Sequence, residues 1–162
     1  LENAWQKASL NNAIDNKKSL QVLPWAWADI YPVAKLSFEQ QKTSHIVLNN
    51  DSGQALAFGP GITHSAQRME SENNTTIISA HRDTHFSILE GVQVGDNLRL
   101  EVIGSSIINL SVTNRYIIDT RAETLLIERE AITDKQRLIL VTCFPFDSVE
   151  SATPYRLIIE AE

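Results

Sequence analysis

The amino-acid sequence predicts an all-β domain of seven or eight short strands, arranged as a barrel or as a sandwich. Two observations lead to this prediction. Runs rich in leucine and β-branched residues recur from Leu36 onwards, and turn signals such as "NNDSG", "GPG" and "VGDN" separate them. No long helical pattern lies between the runs, which argues against a parallel α/β sheet. At 162 residues, 43% of them hydrophobic, the chain is long enough to bury one core of its own.

The first 35 residues are predicted to form a separate N-terminal unit. Apolar residues between Trp5 and Ile14 recur at near-helical spacing, which predicts a weak amphipathic helix that ends near "DNKK". The stretch "QVLPWAWADIYPVAKLSF" then carries two prolines and two tryptophans. These residues exclude a long regular helix and are typical of an irregular strap across a core. We therefore divide the chain into a helix and strap at 1–35 and a β-domain at 36–162.

From Leu36 onwards, each predicted strand is a short apolar run that ends at a turn. The runs are "HIVLN", "QALAFG", "TTIISAH", "NLRLEVIG", "INLSVTNRYIID", "QRLILVTC" and "YRLIIEA". The segments "SAQRME" and "ETLLIERE" are predicted to form single helical turns between strands. No internal repeat and no low-complexity segment interrupts this pattern.

Charge and cysteine content exclude several classes of function. The formal net charge is −6 and no stripe of lysine and arginine is present, so we expect no binding to nucleic acid. A single cysteine excludes an internal disulfide and metal sites built from several cysteines. No run of about 18 apolar residues is present, so no segment is predicted to span a membrane. Because the chain begins at Leu1 without an initiator methionine, we expect a membrane anchor to be missing from its N-terminus.

Cys143, the one cysteine of the sequence, is the first candidate for a catalytic residue. It ends the apolar run "RLILVTC" and precedes "FPFD", in which Pro145 cannot continue a strand. A residue at the end of a strand lies at the rim of a barrel, partly exposed and held by a rigid scaffold. The alternative interpretation is a structural thiol, because free cysteine is among the most frequently buried residues.

A thiol nucleophile needs a base or a cation beside it, because its unperturbed pKa is about 8.5. His81 ends the predicted strand "TTIISAH", so we expect it to meet Cys143 where two strand ends share one rim. His45 and His64 are interpreted as surface or packing residues. In "PYRLIIEA", alternation places Arg156 on one face with the apolar residue two positions later. This guanidinium either stabilises a developing oxyanion or packs its stem on the barrel edge.

Together, these segments resemble the sortase family of cysteine transpeptidases. "LVTC", with Thr142 before Cys143, is similar to the sortase motif Thr-Leu-x-Thr-Cys, and "AHRD" is similar to the Gly-His-Arg-Asp around the family's catalytic histidine. "YRLIIEA" is similar to the strand that carries the family's arginine. Two positions depart from the family pattern: Ile139 stands where a threonine is often found, and Ala80 replaces a glycine. The resemblance extends over residues 36–162.

The resemblance implies the sortase fold, a closed β-barrel of about eight strands with its catalytic residues in one groove. It also implies that Cys143 is the nucleophile, that His81 gives a proton to the leaving amine, and that Arg156 stabilises the oxyanion or substrate. Thr142 is expected to help position the substrate. The implied reaction is transpeptidation: the thiolate attacks the Thr carbonyl of an LPxTG-like sorting signal in a protein substrate, and an amine acceptor resolves the thioacyl enzyme.

The segment "VLPWAWADIYPVAKL" resembles the tryptophan- and proline-rich region before the barrel in sortases of Gram-negative bacteria. This resemblance implies an enzyme of the cell envelope. It would face the periplasm and would be tethered to the inner membrane by the missing N-terminal anchor.

The other interpretations belong to different functional classes. As metal ligands, His81, Asp83 and His85 would need a helix to share one face, whereas the preceding run is predicted to be a strand. We expect no cofactor. Glu70 and Glu72 are similar to the calcium loops of some sortases, although acidic loop residues are usually solvated. An L,D-transpeptidase would show His-Gly-Cys around its nucleophile, which "VTC" lacks, and a non-catalytic β-barrel binding module would bury its thiol.

Overall fold

The computed structural model describes residues 1–14, 21–63, 75–105, 107–122, 136–150 and 152–162. The strands in these ranges are β1 (Pro32–Phe38), β2 (Thr43–Leu48), β3 (Gly61–Ile62), β4 (Thr75–Ser79), β5 (Asn97–Val102), β6 (Ile107–Asp119), β7 (Arg137–Phe144) and β8 (Tyr155–Ala161). The helical elements in the same ranges are α1 (Glu2–Ile14), α2 (Gly53–Leu56) and a short 3₁₀ helix (Ser87–Glu90). The strands close into one barrel in the order β1-β2-β3-β4-β7-β8-β6-β5. The all-β prediction is confirmed, in its barrel form.

The barrel closes around side chains that alternate with outward-facing ones along each strand. In β1, Ala34, Leu36 and Phe38 are each 0% exposed, while the residues between them are partly exposed. β7 adds Leu138 and Leu140, which are 1% and 0% exposed. Fully burying one leucine or phenylalanine side chain contributes about 1.5–3 kcal/mol. The interior of the barrel is therefore the rigid scaffold on which the rim residues are held.

β7 lies between β4 and β8, and both pairings fix the position of its carboxyl end. β7 runs parallel to β4 and antiparallel to β8. Because β4 and β7 are parallel, the residues that follow both strands lie at the same edge of the sheet. The beginning of β8 lies at that edge too, since β8 runs in the opposite direction. The ends of the predicted segments "TTIISAH" and "QRLILVTC" therefore lie beside the start of "YRLIIEA".

The structure differs from the sequence prediction at three places. β1 begins at Pro32 and not after Leu36, because "PVAKLSF" already alternates between buried and partly exposed residues and proline is tolerated as the first residue of a strand. The predicted strand "QALAFG" is wrong: α2 occupies its first residues, and Ser52 caps this short helix with its hydroxyl. β3 was not predicted, since two residues are too short to show a period.

The N-terminal segment packs on the outside of the barrel. The predicted N-terminal helix is confirmed as α1. Oε1 of its residue Glu2 lies 3.8 Å from Nζ of Lys35 in β1. Ile30, in the strap, is 1% exposed and joins Leu48 and Ala55 in a small second core. Among the described residues, no helix combines the length and apolar character that crossing a membrane requires. The predicted helical turns "SAQRME" and "ETLLIERE" lie outside the described ranges.

Candidate active site

Cys143 lies near the carboxyl end of β7 and is half-buried. Thr142, just before it, is 2% exposed and points into the barrel, so alternation turns Cys143 to the outer face. Arg156 is its direct partner in β8. Directly opposed residues of antiparallel strands share a face, with Cβ atoms about 4.5–5.5 Å apart. The thiol and the guanidinium therefore leave the sheet on the same side.

His81 lies on the other side of Cys143. The N–H of Ala80 donates to the carbonyl of Val141 (3.3 Å), and the Thr142 hydroxyl donates to the carbonyl of Ala80 (2.8 Å). These two bonds extend the constant register of β4 and β7 beyond the last residue of β4. Continued two residues beyond its last pair, Ser79 and Val141, this register sets the exposed His81 opposite Cys143.

The three predicted catalytic residues thus form one row, His81–Cys143–Arg156, across three neighbouring strand ends. On the same outer face but further from the rim, Ile139 and Ile158 are 1% and 0% exposed. The outer face is therefore covered along most of its length and opens to solvent towards the row. The catalytic role of each residue remains a prediction.

Thr142 contributes to the site from inside the barrel. Its hydroxyl is engaged with the carbonyl of Ala80, the residue before His81. This bond fixes the lateral distance between the chain segments that carry His81 and Cys143. Contact between Thr142 and a substrate stays a prediction, whereas its role in holding the two segments together is visible in the structure.

The sequence analysis did not single out Arg82, although it directly follows His81. Its side chain is buried at 7% exposure. Nη1 donates to the Thr153 hydroxyl (3.2 Å), and Nη2 donates to the carbonyls of Ser148 (3.0 Å) and Glu150. These acceptors belong to the connection between β7 and β8. The charged residue in "AHRD" is thus buried in the turn that follows β4, where no strand alternation indicates which side chain faces inwards.

The Arg156 side chain folds back along its own strand. Nη1 donates to the carbonyl of Thr153 and to the carbonyl of Tyr155 (2.8 Å). Two bonds from Nη1 to main-chain acceptors hold the guanidinium in one orientation. Thr153 is thus bonded to both arginines, through its hydroxyl to Arg82 and through its carbonyl to Arg156.

Two further histidines lie on the His81 side of the row. The rings of His85 and His45 are perpendicular, with centroids 5.7 Å apart. Burial lowers the pKa of His85, and the neighbouring His81 lowers it further. Burial likewise lowers the pKa of His45, with a smaller contribution from His85. Both rings therefore favour the neutral form. His64 lies outside the described residues.

The metal-ligand interpretation receives no support from this geometry. Within the described part of the chain, no three His, Cys, Asp or Glu side chains converge as a metal site requires, so Asp83 and His85 do not complete one with His81. Glu70 and Glu72, the candidates for calcium, lie outside the described ranges.

A buried carboxylate lies on the same outer face of β8 as Arg156, at the end of the strand away from the row. Glu160 is 7% exposed. It accepts hydrogen bonds from Tyr116 Oη (2.7 Å) and Asn114 Nδ2 (3.1 Å), and pairs with Arg137 (3.0 Å). Burial alone raises the pKa of Glu160, but these three partners outweigh it and lower the pKa. Burial and the bond to Glu160 raise the pKa of Tyr116 to about 12. This network joins β6, β7 and β8 behind the row.

Comparison with known sequences gives a consistent result. The sequence profile of the "Sortase" family, described as the sortase domain, matches residues 36–162. The chain is also similar to Sortase D of Bacillus subtilis (strain 168), with 35% identity over 88 residues. The matched segment covers 54% of this chain and 42% of that relative, so the chain accounts for less than half of the relative's length.

Comparison with solved structures shows the same fold. A Clostridium perfringens Sortase D5 transpeptidase is similar with a TM-score of 0.70 and 16% identity, over 100% of this chain and 94% of that one. Sortase A from Corynebacterium diphtheriae is similar with a TM-score of 0.69 and 18% identity, over 99% of this chain and 82% of that one. At such low identities these similarities establish the barrel architecture alone.

Proposed function

The chain belongs to the sortase family, and from that premise we propose that it is a cysteine transpeptidase with Cys143 as its nucleophile. The observation that carries the proposal is the row of His81, Cys143 and Arg156 on three neighbouring strand ends. A partly exposed thiol flanked by an imidazole and a guanidinium has the neighbours that a reactive cysteine needs. The rigid barrel below it supplies the fixed geometry that acyl transfer requires.

In the proposed first step, the sulfur of Cys143 attacks the carbonyl carbon of a substrate threonine. The bond from that carbon to the next nitrogen breaks, and His81 gives the departing nitrogen its proton. Arg156 donates hydrogen bonds to the oxyanion that develops in between. In the second step an acceptor amine attacks the thioester carbon, its proton passes to His81, and the thiolate leaves. Proton transfer of this kind contributes about 10²–10⁴-fold to the rate, and one oxyanion donor about 10²–10³-fold.

The proposed substrates are a protein that carries an LPxTG-like sorting signal and an amine acceptor, at the cell envelope. The signature around Cys143 supports the first, because it is the sequence feature in which the chain resembles enzymes of that specificity. The tryptophan- and proline-rich strap supports placement on the periplasmic side of an inner membrane, behind an N-terminal anchor. The division into a helix and strap at 1–35 and a catalytic barrel at 36–162, the range of the family match, is part of this proposal, with the first barrel strand beginning at Pro32.

Neither alternative class is favoured. A non-catalytic binding module would shield its thiol, whereas Cys143 is only partly buried and lies beside two cationic or basic groups. An L,D-transpeptidase would place a histidine two residues before the cysteine, where this chain has Val141.

The test is an assay of peptide cleavage and transfer. The protein is incubated with a small panel of sorting peptides and several amines, and the products are identified by mass. We expect a new amide that joins the peptide, ending at its threonine, to the added amine. Cys143→Ala should abolish both cleavage and transfer, and Cys143→Ser should nearly do so. Wild-type turnover by Cys143→Ala would exclude the nucleophile assignment.

Two histidine variants provide a matched pair for the proton donor. His81→Ala should lower turnover by about 10²–10⁴-fold, the range expected for loss of a general acid. His85→Ala removes a neighbouring imidazole from the same turn and should change turnover little. A large loss in His85→Ala instead would reopen the metal-ligand interpretation.

A further inference from the structure

A hydrogen-bonded path connects the residue after His81 to Arg156 without passing through Cys143. Arg82 Nη1 donates to the Thr153 hydroxyl, and the carbonyl of the same threonine accepts from Arg156 Nη1. Arg82, where the path begins, and Thr153, its intermediate residue, are buried at 7% and 5% exposure. The path therefore runs beneath the surface, where hydrogen bonds are well shielded from water.

Burying the charged side chain of Arg82 costs free energy, and its hydrogen-bond acceptors offset this cost only while they stay in place. The acceptors described for it are one hydroxyl and two carbonyls, all of them in the connection between β7 and β8. A planar guanidinium donates in fixed directions, so it can define the position of three acceptors at once. We therefore expect this connection to be ordered by Arg82, although its residue Val149 is fully exposed.

Thr153 links the connection that Arg82 orders to Arg156, the arginine of the row. It lies three residues before Arg156, and its carbonyl is one of the two main-chain acceptors that orient the Arg156 guanidinium. If the connection moves, that carbonyl moves with it. The other acceptor, the carbonyl of Tyr155, belongs to β8 and stays with the barrel.

We propose that Arg82 and Thr153 are positioning residues that hold the Arg156 guanidinium in its place beside Cys143. The proposal rests on the transpeptidase function above, in which Arg156 stabilises the oxyanion. It explains why the segment after His81 carries a buried charge: the same turn that presents the imidazole also fixes the arginine on the far side of the thiol.

The test uses Thr153→Val, which removes the hydroxyl and keeps a side chain of similar size. We expect kcat to fall about tenfold with KM within about twofold, because a group that acts in the transition state is misplaced. Turnover is measured at a temperature where thermal unfolding curves show every variant fully folded, so that unfolded protein does not count. Thr153→Ser should restore kcat, and Thr113→Val, on an exposed part of β6, should leave it unchanged.

A double-mutant cycle separates positioning from a general loss of stability. In the Arg156→Ala background, Thr153→Val should lower kcat by less than about twofold, because the group through which it acts is already absent. Equal losses in both backgrounds, or Thr153→Val with wild-type kcat, would overturn the proposal. Arg82→Lys is a second probe, since an ammonium cannot reproduce the three divergent bonds, and it should behave like Thr153→Val.

A measurement without substrate keeps this inference separate from the proposed function. Nitrogen relaxation of the Arg156 Nε–H group reports how ordered its guanidinium is on the picosecond-to-nanosecond timescale. We expect an ordered group in the wild-type protein and a mobile one in Thr153→Val. Equal order in both would exclude the positioning role even if turnover were found. An ordered-to-mobile change in a protein that turns over no peptide would support positioning and count against the transpeptidase.

Discussion

Replacing Thr142 by valine tests how tightly the site is held together. The change keeps the shape of a buried side chain and removes the hydroxyl that donates to the Ala80 carbonyl at 2.8 Å. That carbonyl is in a residue only 6% exposed, so water cannot readily replace the donor. One hydrogen bond fewer at a buried group lowers the free energy of unfolding by about 1–3 kcal/mol.

The expected loss can be measured as a shift in melting temperature. For a chain of this length, each 1 kcal/mol lowers Tm by about 2–4 °C. A loss near 2 kcal/mol, the middle of the range, therefore predicts a Tm about 4–8 °C lower in Thr142→Val. Thr142→Ser is the control because it keeps the donor and removes one methyl group, worth about 0.8 kcal/mol in transfer free energy.

Activity is the more discriminating readout for this pair of variants. The bond fixes the spacing of the segments that carry His81 and Cys143, and a displacement of about 1 Å can lower a rate about 10²-fold. We expect Thr142→Val to lose about ten- to a hundredfold in kcat at temperatures where it is fully folded, and Thr142→Ser to stay near wild type. Equal activity in Thr142→Val and the wild type, or an equal loss in both variants, would refute the reasoning.

The remaining predictions concern the groups around the row. Tyr116→Phe removes one of the donors to the buried carboxylate of Glu160, so urea unfolding should show a loss of about 1.5–3 kcal/mol, the range for bonds to charged groups. Burial and the bond to Glu160 raise the pKa of Tyr116 to about 12, so in the same variant the phenolate absorbance should lose the one tyrosine that titrates in that range. The pKa values of His45 and His85 lie below their usual 6.5 in the folded protein. Above pH 6.5 both histidines are neutral in the folded and in the unfolded protein. As the pH decreases through 6.5 the unfolded protein takes up protons first, so the free energy of unfolding should fall. His45→Gln should flatten this dependence in unfolding curves measured between pH 7.5 and pH 5, and an unchanged slope would contradict the assignment.

The barrel could be predicted because its signal is local and repeated. Short runs of leucine and β-branched residues between turn signals identify "TTIIS", "RLILVTC" and "YRLIIEA" as strands whatever their partners are, since β-propensity and turn residues are local properties of the chain. "QALAFG" shows the limit of that signal. Its apolar residues also suit one helical turn, and the Ser52 cap decides between the two.

The row of site residues was predictable in part. The strand ends at His81 and Cys143 mark two positions on a rim, but only the parallel register of β4 and β7 brings them level, and a sequence does not state which strands pair. The path through Arg82 and Thr153 was not predictable, because it joins residues that are 71 positions apart. Its acceptors are hydroxyl and carbonyl oxygens, which every sequence contains.

The central claim is that Cys143 forms a covalent acyl intermediate, and the mass of the intact protein tests it most directly. The protein is mixed with an LPxTG-type peptide in the absence of an added amine, quenched in acid and measured whole. We predict a mass increase equal to the acyl fragment that ends at the threonine, located on Cys143 after digestion and released by an added amine. Peptide cleavage with no such adduct on the wild-type protein, at a rate unchanged in Cys143→Ala, would contradict the account.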